Sequence, residues 1–168
     1  MGAERDQLEK AFADTTCRWL ILSFTSDWLF PSSQSREMTD ALICQGKCVS
    51  FCNITSDAGH DAFLLANDLD RYGGMLRAFL DTTTTTGTFI PAQPLPEDQP
   101  SEHRYDLEQL IGLVDEGKSV LDLGCSRGSL LTRLAHERHS DHLVGVDLDE
   151  YKIQLTMQRG FDVVQGNL

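Results

Sequence analysis

Short apolar runs alternate with amphipathic stretches along the chain, and this alternation predicts its elements. Residues 4–14 carry helix formers, with Leu8 and Phe12 on one face. Trp19 to Phe24 is a short apolar run and predicts a buried strand. Pro31, Ser32 and Ser33 open a helix that runs to about Gln45 and is ended by Gly46. Cys48 to Ile54 predicts a second strand. Two short helices follow His60, the second from about Leu69 to Leu80.

The pattern then breaks. The stretch from Asp81 to Arg104 holds five consecutive threonines, Thr82 to Thr86, and Pro91, Pro94, Pro96 and Pro100. It offers too little apolar surface to form a core, so residues 82–104 read as a linker. Beyond it the alternation restarts. A helix near Tyr105–Val114 leads to a strand at Ser119–Leu123, a helix at Ser129–Glu137 and a strand at His142–Asp147. A helix at Glu150–Arg159 and a strand at Asp162–Gln165 complete the order. That is βαβαβ, the first half of a doubly wound parallel sheet. The fold class is α/β, with residues 1–81 and 105–168 as separate parts.

Composition narrows the function classes. The chain has 168 residues and a formal net charge of −12. A surface that acidic repels phosphate backbones and anionic lipid, so neither nucleic acid nor membrane is an expected partner. There is no apolar run long enough to span a bilayer, and the polar N-terminus is unlike a signal peptide. Five cysteines, an odd number, read as reduced thiols in a cytoplasm.

Two residues carry candidate chemistry. Asp27 follows the first apolar run, in Ser26-Asp27-Trp28-Leu29-Phe30-Pro31, and His60 follows the second, in Asp57-Ala58-Gly59-His60-Asp61-Ala62-Phe63-Leu64. A triad acid must accept a hydrogen bond from its histidine, and strand ends suit both roles. Spacing alone leaves Asp27 as a helix cap and His60 as an ordinary loop histidine. The wording goes further. From about Arg18 to Leu80, including Gln34-Ser35-Arg36-Glu37, the chain resembles the C-terminal part of homoserine O-acetyltransferases, enzymes of the α/β-hydrolase fold. The resemblance implies Asp27 as triad acid and His60 as general base. It also implies ping-pong transfer of an acyl group from acyl-CoA, acetyl-CoA in this family, to homoserine, with no cofactor required. The nucleophilic serine comes first in that fold, and no nucleophile elbow precedes Asp27. The chain alone is therefore expected to be inactive, its partner being an N-terminal hydrolase segment that carries the serine.

A second motif lies in Val120-Leu121-Asp122-Leu123-Gly124-Cys125-Ser126-Arg127-Gly128. A glycine turn between strand and helix lets a backbone approach an anionic ligand, and Asp147, ending the next strand, suits ribose hydroxyls. The same turn fits Gly-x-Ser-x-Gly literally, but Ser126 follows the acid and histidine in the chain, against the hydrolase order. From about Tyr105 to Leu168 the chain resembles the start of the MetW family among class I S-adenosylmethionine-dependent methyltransferases. The family's glycine turn maps onto Asp122, Gly124, Ser126 and Gly128, with Ser126 replacing a glycine. Asn167 stands where an acid commonly reads adenine. S-adenosylmethionine is the cofactor this implies, with Asp122, Gly124, Gly128, Asp147 and Asn167 around it. The alternative to an acyltransferase piece is thus a non-catalytic module of MetW type that binds S-adenosylmethionine or docks a partner.

Cys44, Cys48 and Cys52 recur every four residues, yet Gly46 separates them, and they read as buried structural thiols rather than metal ligands. His103, His136, His139 and His142 lack metal spacing. Asp149 and Glu150 read as charge at a helix N-terminus.

Overall fold

The computed structural model describes residues 2–84, 105–140 and 142–167. They form two compact units, Met1–Leu76 and Arg77–Leu168. The architecture is mixed α/β, and strands pair in parallel within each unit.

The first unit opens with α1, Gly2–Phe12, followed by β1, Trp19–Phe24. Phe12 meets the Trp19 ring edge-on at 5.2 Å. Lys47 Nζ donates to the carbonyls of Ala13 and Thr15 and ties down the connection between α1 and β1. Pro31 sits in an extended conformation just before α2, Ser32–Cys44. A proline costs nothing there because the first amides of a helix have no internal partner. Gly46, at φ +64°, turns the chain out of the helix. The next strand, β2 (Val49–Ile54), pairs parallel with β1, Phe24 opposite Ile54. Parallel neighbours require a crossover, and α2 supplies it, packing on both strands. Leu42, Phe51, Cys52, Ile54 and Met75 are fully buried or nearly so. Burying one such leucine or isoleucine contributes about 1.5–3 kcal/mol.

After β2 a 3₁₀ turn spans Gly59–Leu64, and α3 spans Ala66–Thr84. His60 therefore belongs to a turn of 3₁₀ helix rather than to an open loop. The second helix is longer than the expected 69–80 and runs three residues into the threonine stretch. The remainder of the expected linker, residues 85–104, lies outside the described residues, as does His103.

The second unit contains α4 (Tyr105–Leu113), β3 (Val120–Leu123), α5 (Ser129–Glu137), β4 (Leu143–Asp147), α6 (Glu150–Gln158) and β5 (Asp162–Gln165). Within it, β4 pairs with β3 on one side and β5 on the other. Leu131, Leu134, Ile153 and Val163 are fully buried. Asp149 caps α6, accepting from the Lys152 amide at 3.1 Å.

One expectation is corrected. Cys44 and Cys48 are exposed, as is Cys17; only Cys52 and Cys125 are buried. Cys44 lies two residues beyond buried Leu42, about 200° around the helix, and so faces away from the core. Cys48 lies one residue before the strand, whose own residues Val49 to Cys52 are all buried, and so falls outside the core.

Candidate functional site

Two side-by-side strand ends create the first site. Because β1 and β2 run parallel in register, the turns that follow them leave from the same edge. Three consecutive residues of the first turn then bond across to the second. Thr25 Oγ1 donates to the Ser56 carbonyl at 3.1 Å and accepts from the Ser56 amide at 3.0 Å. Ser26 Oγ accepts from the Gly59 amide at 2.8 Å. Asp27 Oδ2 lies 3.1 Å from His60 Nδ1. The second turn is also held from below, where Ser56 Oγ donates to the buried carboxylate of Asp68 at 3.0 Å.

Asp27 is fixed on its other oxygen as well. Oδ1 accepts from the amides of Leu29 and Phe30, each at 2.9 Å. The Phe30 amide does most to hold its carboxyl below the usual aspartate range. Burial opposes this, and His60 and the Leu29 amide add to it. The side chain of Asp27 is 9% exposed and that of His60 32%. An ionised Asp27 fixes the proton of a neutral His60 on Nδ1 and leaves the Nε2 lone pair free to accept one. No other described residue hydrogen-bonds His60. The rings of Phe30 and Phe63 flank the imidazole at 5.2 and 5.7 Å between centroids. Such an arrangement can take up a proton at Nε2.

The second site is the glycine turn. Gly124, Ser126 and Gly128 all have positive φ, +84°, +52° and +77°. The amides of Gly124 and Cys125 donate to the Val146 carbonyl, and the Ser126 amide donates to Asp147 Oδ2 at 2.9 Å. Asp147 Oδ1 accepts from the Asp149 amide at 2.9 Å. Both carboxylate oxygens of Asp147 thus bind backbone, and the residue is 8% exposed. A cavity of about 330 Å³ adjoins the turn, lined among others by Leu107 and Leu110 of α4, Asp122, Gly124, Ser126 and Arg127. It gathers Asp122 and Gly124. Gly128, Asp147 and Asn167 do not line it, and Asn167 is exposed. Burial raises the Asp122 carboxyl, with the nearby Asp147 charge adding to it. Burial likewise pushes the Cys125 thiol up to about 12, aided by the charges of Asp122 and Asp147.

Two contributors to this turn were not singled out in the sequence. A Cβ on Gly145 would lie 2.6 Å from Cys125 Sγ, so the strand must be bare there. Thr156 of α6 donates to the Ser126 carbonyl at 3.0 Å. The lone glycine inside the apolar run Leu143–Asp147 was the one available signal. In the same unit, buried Arg133 pairs with Glu137 and Glu108 and so ties α5 to α4. Among the described residues no group of three or more His, Cys, Asp or Glu side chains is placed to hold a metal ion. No helix there is long and apolar enough to cross a membrane.

Comparisons with known proteins fall on the same two parts. Residues 104–168 match the family model described as methionine biosynthesis protein MetW. The bifunctional methionine biosynthesis protein MetXA/MetW of Rhodopirellula baltica is 39% identical over 176 residues, covering 100% of this chain. A homoserine O-acetyltransferase of Rhodopseudomonas palustris is 52% identical over 75 residues, or 45% of this chain. A homoserine O-succinyltransferase of Psychrobacter arcticus is 45% identical over 83 residues, or 49% of this chain. The chain spans 27% of the bifunctional relative's length and 18% of each of these two acyltransferases. The N-terminal half of the chain is thus similar to homoserine O-acyltransferases, residues 104–168 to MetW, and the chain as a whole to part of a bifunctional MetXA/MetW protein.

Proposed function

We propose that this chain contributes the acid and the base of a Ser–Asp–His acyl-transfer site. Asp27 is the acid and His60 the general base. The serine comes from the hydrolase segment of the whole protein, which passes an acyl group from acyl-CoA to homoserine. The observation that carries this reading is the 3.1 Å contact between His60 Nδ1 and Asp27 Oδ2, with Oδ1 held by two amides. In the proposed cycle Nε2 takes the serine proton as the serine attacks the thioester carbonyl. The proton passes to the departing CoA thiolate. Nε2 then deprotonates the homoserine hydroxyl as it attacks the acyl-enzyme, and returns that proton to the serine. Asp27 stabilises the imidazolium at each stage. By this reading the 168-residue chain alone releases no CoA from acetyl-CoA and homoserine. Turnover by the purified chain at an ordinary enzymatic rate overturns it, and loss of that turnover in Ser126→Ala would transfer the nucleophile to the glycine turn.

A second reading rests on the cavity beside the turn. Its location at a strand-to-helix turn, with Asp122 and three leucines in its wall, supports a small-molecule subsite of MetW type. The residues present fit S-adenosylmethionine poorly. Asp147, the candidate ribose acceptor, is buried and already binds two backbone amides, and Asn167 lies outside the cavity lining. About 330 Å³ is also near the lower limit of ligand pockets. We therefore expect binding weaker than about 1 mM, equivalent to about −4 kcal/mol. Isothermal titration of the chain tests this, and micromolar binding lost in Asp147→Ala would favour the binding-module reading.

A further inference from the structure

We propose that Ser26 is a positioning residue for the His60 base, acting through the Gly59 amide; the proposal rests on the Asp27–His60 reading. Ser26 immediately precedes the acid, and Gly59 immediately precedes the base. A single hydrogen bond, Gly59 N–H to Ser26 Oγ at 2.8 Å, therefore ties the two backbones together one residue before the side chains meet. Gly59 adopts φ +67°, a left-handed conformation, as the chain enters the 3₁₀ turn that carries His60. Its bare Cα packs against the backbone of Ser26, whose carbonyl oxygen lies 4.0 Å from the position a Cβ would occupy. The neighbouring Thr25–Ser56 exchange fixes the start of the second turn. It does not reach Gly59. Between the Thr25–Ser56 exchange and the Asp27–His60 contact, the Ser26–Gly59 bond joins the two turns at the residue before each side chain.

The chemical consequence lies in the tautomer. A free neutral imidazole favours the proton on Nε2, the wrong arrangement for a base that must accept there. The Asp27 contact selects Nδ1–H only while the ring stays within hydrogen-bonding distance and in plane. Releasing the Gly59 amide lets the turn before His60 change its φ and lets the ring swing out of register. Ser26 touches neither substrate nor the reacting atoms in this scheme.

The test uses the whole 168-residue chain, labelled with ¹⁵N, and reads the His60 tautomer by long-range ¹H–¹⁵N correlation and Gly59 amide exchange. The wild type is expected to hold mainly the Nδ1–H form and to protect Gly59 at least about 10-fold over an unstructured amide. Ser26→Ala is expected to move the population toward Nε2–H and to lose that protection. Ser26→Thr keeps an acceptor and is expected to restore both. Asp27→Asn separates the two ideas. If it leaves the tautomer unchanged, the acid–base pairing itself fails. If Asp27→Asn shifts the tautomer and Ser26→Ala does not, the pairing stands and the role of Ser26 is refuted. Loss of stability in Ser26→Ala with an unchanged tautomer refutes it equally. Should Ser26→Ala fail to fold, an unprotected Gly59 amide in the wild type overturns the proposal, and a protected one with rescue by Ser26→Thr supports it.

Discussion

Gly128→Ala is expected to destabilise the second unit by about 2–5 kcal/mol, through two separable causes. The first is conformational. Gly128 sits at φ +77°, where an L side chain costs about 1–2 kcal/mol. The second is steric. The added Cβ would lie 2.7 Å from Thr156 Cγ2 and 3.3 Å from its Oγ1. Thr156 cannot swing aside cheaply. It is fully buried, it is β-branched, and its hydroxyl bonds the carbonyls of both Ser126 and Lys152 at 3.0 Å. Overpacking of this kind costs about 1–3 kcal/mol. Thr156→Ser removes Cγ2 and keeps the hydroxyl, so in the double variant the steric part should shrink and the conformational part remain. Gly46→Ala supplies the control, with φ +64° and no atom within 4 Å of its Cβ, and should cost about 1–2 kcal/mol. Because the chain has two units, one global unfolding curve is a poor readout. Amide exchange at Val146 and Val163 reports the second unit directly, and at Phe51 the first. A Gly128→Ala variant within about 0.5 kcal/mol of wild type would refute the reasoning, as would absence of coupling to Thr156.

Other outcomes are quicker to check. Alkylation of the native chain near neutral pH should modify Cys17, Cys44 and Cys48 and spare Cys52 and Cys125 until denaturant is added; rapid native labelling of Cys125 would contradict its burial and its thiol pushed up to about 12. The Asp27 carboxyl should titrate below the ordinary aspartate range. Its folded value is depressed, so its stabilising contribution is complete above about pH 4 and is lost as pH falls through the lowered value. A ¹³C titration placing Asp27 at or above the ordinary range would show that the Phe30 and Leu29 amides do not hold it.

The sequence made much of this architecture legible, and where it did not, the reasons are physical. Trp19–Phe24, Ser129–Glu137 and Asp162–Gln165 are elements whose bounds follow directly from apolar runs and flanking turn residues. The start of α3 was not visible because Ala66, Asn67 and Asp68 carry no apolar periodicity. Asp68 instead suits the first helical turn, where negative charge is favoured. Gly46 already marked the break in the four-residue spacing of Cys44, Cys48 and Cys52, but which of the three thiols is buried depends on the strand and helix ends around them, and only Cys52 is. Asp27 and His60 stood out through their segments, and the structure brings them together. Ser26, Thr25 and Ser56 did not, because their bonds join residues 31 to 33 positions apart. Gly145 tells the same story in the second unit, its need for a bare Cα arising only when Cys125 packs against it.

The most direct test of the central claim is acyl transfer by the full-length protein that contains this sequence, measured as CoA release from acetyl-CoA with homoserine. His60→Ala should lower kcat by at least about 10³-fold, because Nε2 is the proton acceptor in both half-reactions of the proposed cycle. Cys48→Ala, an exposed thiol outside the site, should leave kcat nearly unchanged. Near-normal turnover by the His60→Ala protein would contradict the assignment of Asp27 and His60 as the acid–base pair.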